Sequence, residues 1–185
     1  MMLNAGTNLL WPTPVFKTSI DSERCEQLVS DLMLTQNISN PSGDTASNLI
    51  DNPLLADIAK EKYSEFFDSV YGIDIDSLKY EFNAWLTRTS GGYGMETHNH
   101  TGAQFVSVFY ILSEEASEGG EIVLQDPRFN ANRGFHGVFM SDFKSMVHSP
   151  KTGDVLIFPG YVYHFVRQYT SQLRLAIPVD IFIKE

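Results

Sequence analysis

At 185 residues, with 43% hydrophobic and 12% aromatic side chains, the chain has room for one domain with a substantial core, and its composition is not that of a disordered protein. Thirteen basic residues against 23 acidic ones leave a net charge of −10, which argues against nonspecific nucleic-acid binding, because that needs a basic surface to replace phosphate counterions. A single cysteine, Cys25, excludes an intramolecular disulfide, and no run reaches the roughly 20 apolar residues of a bilayer span. The start of the sequence has no basic segment followed by a long apolar one. A cytoplasmic protein with no nucleic-acid or membrane partner is therefore expected.

In chain order, residues 1–20 read as an arm and a first strand. Two prolines in Trp11-Pro12-Thr13-Pro14-Val15-Phe16 suit an edge position and rule out a central strand. Asp21 or Ser22 can cap a helix to about Leu34, with Cys25, Leu28, Val29, Leu32 and Met33 on one face. Cys25 reads there as a buried structural thiol. Residues 35–48 are polar and include Asn40-Pro41-Ser42-Gly43-Asp44, a loop. Pro53 opens a second helix that ends near Gly72, with an apolar stripe from Leu54 to Val70. Both stripes are expected to pack on a sheet.

From Leu78 onward, short β-branched and aromatic runs alternate with Gly, Pro, Asn and Asp turns. Strands are expected near 79–88, 94–100, 105–112, 121–125, 136–140, 145–148, 154–158, 161–168 and 172–183. Helices first and many strands afterwards indicate an α+β chain whose second half is a β-sandwich or barrel. One domain over 1–185 is expected, with residues 1–77 as arm and helices and 78–185 as the β core.

The chemistry centres on Glu96-Thr97-His98-Asn99-His100 with His164 and Arg174. In an extended strand, His98 and His100 leave the same face. His164 follows in Tyr161-Val162-Tyr163-His164-Phe165-Val166, a run of strand formers. Imidazole suits Fe, Zn, Cu or Ni, and three protein ligands on one side leave positions open for water, co-substrate and dioxygen. Arg174 lies in the apolar run Leu173 to Ile177 and needs an anion, either a protein carboxylate or a ligand carboxylate. Tyr110 is either a second donor to that ligand or a half-buried strand tyrosine. His136 and His148, in the loop-rich middle, read as surface or substrate-rim residues.

A set of motifs in one order carries a family resemblance. It comprises Trp11-Pro12-Thr13-Pro14-Val15, Asn83-Ala84-Trp85, His98-Asn99-His100, Val108-Phe109-Tyr110, Gly119-Gly120-Glu121, Asp126-Pro127-Arg128, Gly153 through Pro159, and His164 with Arg174. The chain resembles the small 2-oxoglutarate/Fe(II)-dependent oxygenases of marine bacteria and cyanobacterial phages, over nearly its whole length. The resemblance implies a double-stranded β-helix (jelly-roll, cupin-like) core with N-terminal supporting helices. It implies Fe(II), 2-oxoglutarate and O2 as metal and co-substrates, His98 and His164 as metal histidines, and Arg174 on the distal carboxylate of 2-oxoglutarate. The implied activity is hydroxylation of a peptidyl or small-molecule substrate by a monomer or homodimer, in the host cytoplasm if phage-encoded.

Position 100 departs from the wider superfamily, which usually has Asp or Glu two residues after the first histidine. A three-histidine site of His98, His100 and His164 is the leading expectation. Such a site is one negative charge poorer and is expected to hold Fe(II) less tightly. Three alternatives stand beside it: Glu96 supplies the carboxylate; Asp126 reaches in; or His100 is the first histidine and Gly102 leaves an open position, as in related halogenases. Two other functions compete. One is a cupin-like metal enzyme independent of 2-oxoglutarate. The other is a non-enzymatic jelly-roll binding module.

Overall fold

In the computed structural model, the described residues are 12–35, 43–44, 48–113, 119–128 and 145–184. Strand β1 spans Phe16–Ser19, followed by helix α1 (Ser22–Thr35) and β2 (Gly43–Asp44). Helix α2 (Pro53–Tyr71) leads into β3 (Lys79–Ala84), β4 (Thr87–Thr89), β5 (Tyr93–His98) and β6 (Phe105–Leu112). The chain closes with β7 (Ile122–Leu124), β8 (Met146–His148), β9 (Asp154–Pro159), β10 (His164–Tyr169) and β11 (Arg174–Lys184). The described chain is thus mostly β-sheet with two α-helices. No helix among the described residues is long and apolar enough to cross a membrane.

The two helices start and stop where the sequence signals do. The Asp21 carboxylate accepts the Arg24 amide at 2.9 Å and caps α1. Asn52 Oδ1 accepts the Leu55 amide at 3.0 Å ahead of Pro53, and Gly72 ends α2 in the left-handed conformation (φ 64°). Lys62 is a departure from the expected apolar stripe of α2. It is buried there and forms ion pairs with Glu61 and Glu65.

The strands form two sheets. The larger runs β1-β9-β6-β11-β4-β2, with β3 also pairing with β11; the smaller runs β5-β10-β7-β8. Strand β1 occupies an edge, as its preceding prolines require. Period-two alternation divides the core into two layers. Phe109 and Ile111 of β6, with Leu175, Ile177, Val179 and Ile181 of β11, pack against Leu28, Leu32, Leu55, Ile58 and Phe66 of the helices. Val106, Val108 and Tyr110 of β6 and Ala176 of β11 face the other way, onto Ile122 and Leu124 of the small sheet. Buried Tyr63 ties the helix layer to β11, its hydroxyl donating to the Val179 carbonyl at 2.7 Å.

Three boundaries differ from the expected ones. The run 79–88 is two strands, because the ladder breaks opposite Pro178, which has no N–H to give. Trp85 sits at the break and donates its own amide to the Pro178 carbonyl. The run 94–100 ends as a strand at His98, and 161–168 begins as one only at His164. The strand expected at 136–140, and His136 with it, lie outside the described residues, as does Trp11.

Candidate metal centre

The site lies between the two sheets, at the end where β5 and β10 meet. The antiparallel register sets His164 directly opposite His98. Their ring centroids are 4.3 Å apart. His100 reaches the same point by a different route from the expected strand alternation. It lies past the end of β5 in a turn, where its amide donates to the Gly160 carbonyl at 2.9 Å and its carbonyl accepts the Ala103 amide at 3.2 Å. Gly160 permits this approach, since a Cβ there would run into the Ala103 and His100 carbonyl oxygens. The indole of Trp85 stacks on the His100 ring, centroids 5.6 Å apart and 24° from parallel.

One ring nitrogen from each of His98, His100 and His164 lies within 4.8 Å of the other two. The remaining nitrogens settle which one is offered. His98 Nδ1 is 2.8 Å from the Glu96 carbonyl, and His164 Nδ1 is 3.0 Å from the Val162 carbonyl. A carbonyl oxygen only accepts, so both Nδ1 atoms carry a proton, and Nε2 is the nitrogen each ring can turn to a metal. His100 Nδ1 is 2.7 Å from Asp180 Oδ1, which fixes the same tautomer. Burial pushes the His164 imidazole down to about 3, against the opposing pull of the Val162 carbonyl and with smaller help from His98 and His100, so it stays neutral near pH 7. Imidazoles whose Nδ1–H is held by an acceptor offer Nε2 to a borderline divalent metal such as Fe(II). The residues present fit that ion.

A cavity of about 400 Å3 opens beside the histidines. Its far wall carries Arg174 and Tyr110. Arg174 is 2% exposed. Its Nε donates to Ser113 Oγ at 3.2 Å, its Nη1 donates to the Gly120 carbonyl, and its guanidinium lies 4.1 Å from the centre of the Tyr169 ring. Among the described residues no carboxylate pairs with it. The protein-carboxylate alternative for this cation is thus not realised within the described chain, and the charge faces a cavity able to hold an anionic ligand. Tyr110 is 3% exposed, more deeply buried than half, and burial raises its hydroxyl pKa well above the ordinary value.

The other residues weighed from the sequence fall elsewhere. Glu96 lines the cavity but contributes no atom to the three-histidine cluster. Asp126 is bound to Arg128 at 2.6 Å in a separate depression beside Asn99, Tyr161 and Tyr163. Gly102 lies in the turn after His100 with φ +90°, and its missing Cβ would approach Phe182. His148 pairs with Asp154 at 2.9 Å, away from the cavity. Sequence reasoning missed Asp180 and Trp85. An acidic residue within the apolar run Val179 to Ile183, an even number of positions from Arg174, was a usable signal for the first. None marked the second as stacking on His100.

Comparison with known proteins bears on this geometry. A family model described as "Putative 2OG-Fe(II) oxygenase" matches residues 83–180. A PKHD-type hydroxylase of Crocosphaera subtropica is 29% identical over 99 residues, which cover 48% of this chain and 44% of that protein. The match thus spans less than half the length of this curated relative. The viral collagen prolyl hydroxylase vCPH of Paramecium Bursaria Chlorella virus-1, solved as a 2OG complex, superposes with a TM-score of 0.65 at 17% identity, covering 92% of this chain and 96% of that one. HygX of Streptomyces hygroscopicus, solved with nickel and 2-oxoglutarate bound, gives 0.62 at 13% identity over 92% and 82%. At such identities the likeness is one of fold.

Proposed function

The chain belongs to the family of 2OG-Fe(II) oxygenases, and from that premise we propose that it is a 2-oxoglutarate-dependent dioxygenase that hydroxylates a peptidyl or small-molecule substrate. The two sheets are read as the double-stranded β-helix (jelly-roll) core, and arm, helices and sheets as one domain. His98, His100 and His164 would hold Fe(II) through their Nε2 atoms. When bound, the metal supplies the activation of O2 that couples decarboxylation of 2-oxoglutarate, to succinate and carbon dioxide, with hydroxylation of a substrate C–H bond.

The protein's own contribution is binding and orientation. Arg174 takes the distal carboxylate of 2-oxoglutarate with its guanidinium, held in place by Ser113, Gly120 and the Tyr169 face. Tyr110 keeps its proton, because burial raises its pKa, and can donate to the same carboxylate. Val108, Ile122, Val166 and Ala176 line the cavity with apolar surface. They exclude water and strengthen the electrostatic contacts inside. The observation that carries the reading is the pairing of three converging imidazoles with a buried arginine that has no carboxylate partner among the described residues.

An anaerobic titration with Fe(II) and 2-oxoglutarate tests it. The chelate should give a weak visible metal-to-ligand charge-transfer band. The band should be lost in His164→Ala and should need far more 2-oxoglutarate in Arg174→Ala. Tight metal binding with no band would replace this reading with a 2-oxoglutarate-independent metal enzyme. No metal binding at all would leave a binding module.

A further inference from the structure

We infer that Asp180 is the positioning residue of the metal centre and carries, one shell out, the negative charge that position 100 lacks. The inference rests on the three-histidine reading and goes beyond it. Asp180 is 6% exposed, in a strand whose opposite face is wholly apolar. Among the described residues its carboxylate pairs with no lysine or arginine; its one partner is His100 Nδ1, at 2.7 Å. A buried carboxylate without a cation is costly, so it needs a group that gains from its charge. An imidazole whose other nitrogen ligates a divalent cation is such a group.

The surroundings hold the pair rigid. Asp180 is fixed from both sides by the ladder, opposite Val106 of β6 and Asn83 of β3. The next carbonyl along, that of Val179, is held by the Tyr63 and Ser107 hydroxyls. On the ligand side, Trp85 stacks on His100 while Gly160 fixes its amide. The His100 ring therefore has one orientation, with Nδ1 on Asp180 and Nε2 toward His98 and His164. Asp180 draws on the Nδ1–H proton and makes Nε2 a stronger donor. In effect, an inner carboxylate at this position has been exchanged for an imidazole with a carboxylate behind it.

A pair of substitutions in two backgrounds tests this, with Fe(II) affinity measured anaerobically against a competing chelator and without 2-oxoglutarate. In the wild-type background, Asp180→Asn keeps size and an acceptor but removes the charge. It should weaken Fe(II) binding about 10- to 100-fold. In the His100→Asp background, the inner carboxylate is present and Asp180 becomes a like-charged neighbour. There the same Asp180→Asn change should leave affinity unchanged or tighten it. This reversal is a signature that loss of packing cannot produce. Equal affinity in wild type and Asp180→Asn would overturn the role of Asp180 while leaving the metal site standing. Parallel losses in both backgrounds would reduce Asp180 to a packing residue and overturn it too. A wild-type chain that binds no Fe(II) would overturn the three-histidine reading itself and this inference with it.

Discussion

Arg174 and Asp180 stand six residues apart on β11 and leave the same face of the strand, the one turned toward the cavity between the sheets. Both are buried in a strand whose other face is leucine, isoleucine and valine. Asp180 is bound to the histidine cluster, and Arg174 lines the opposite part of the cavity. One strand thus sets the span between the histidine cluster and Arg174, which suits a ligand that has a chelating end and a distal carboxylate.

The fork of Arg174 is the part of that span most sensitive to a conservative change. Lysine would keep the charge but could not hold Ser113 Oγ, the Gly120 carbonyl and a ligand carboxylate together. Arg174→Lys should raise the half-saturating 2-oxoglutarate concentration about tenfold, equivalent to about 1.4 kcal/mol. Succinate formation followed at varied 2-oxoglutarate concentration would show it, with Fe(II) affinity in the absence of 2-oxoglutarate unchanged.

Gly120 makes room for that guanidinium. Its φ is +74°, and a Cβ there would collide with Arg174 Nη1 and the Tyr169 ring. Gly120→Ala should cost about 1–3 kcal/mol from overpacking and backbone strain together. It should also loosen 2-oxoglutarate binding, because Arg174 must move. Chemical denaturation gives the first effect and the charge-transfer titration the second; unchanged values in both would mean that the backbone relaxes at no cost.

Much of this was legible in the sequence, and what was not has identifiable causes. Strands β6 and β11 are plain because burial on both faces, by different layers, makes each a near-continuous apolar run. The helix ends are plain because Asp21, Pro53 and Gly72 are strong local signals. His98 was legible from its spacing to His100, His164 from its run of strand formers, and Arg174 as a cation in an apolar run. The position of His100 was reached by the wrong route: strand parity was invoked, whereas a turn pinned by Gly160 delivers it. That contact is made by a residue 60 positions away, which local pattern does not encode. The division of 79–88 into β3 and β4 depends likewise on Pro178, a partner distant in sequence.

The carboxylates weighed as inner ligands allow a discriminating test. Asp126 is bound to Arg128, and Glu96 adds nothing to the cluster of ring nitrogens. Glu96→Gln and Asp126→Asn should therefore change Fe(II) affinity by less than about twofold, within the ±0.5 kcal/mol usual for surface changes. His100→Ala should abolish tight binding. A loss of tenfold or more in either carboxylate variant would reassign the third ligand.

His164 makes the stability of the metal-free protein depend on pH between about 3 and 6.5. Its imidazole titrates near the ordinary value of about 6.5 in the unfolded chain. In the folded chain burial holds it down to about 3. Between those values the unfolded chain binds a proton that the folded chain does not, so stability falls as pH falls. The contribution is complete above pH ~6.5 and declines by up to about 1.4 kcal/mol per pH unit below it. Asp154 acts lower on the scale. Burial would raise its pKa, but Lys17, the Lys151 amide and His148 together hold it below the usual carboxylate value. The interval from about pH 6.5 to 5 therefore keeps the imidazole clear of that carboxylate. Urea denaturation of the metal-free protein across that interval should show the loss, and His164→Gln should flatten it. A wild-type slope that survives the substitution would place the proton uptake on another group.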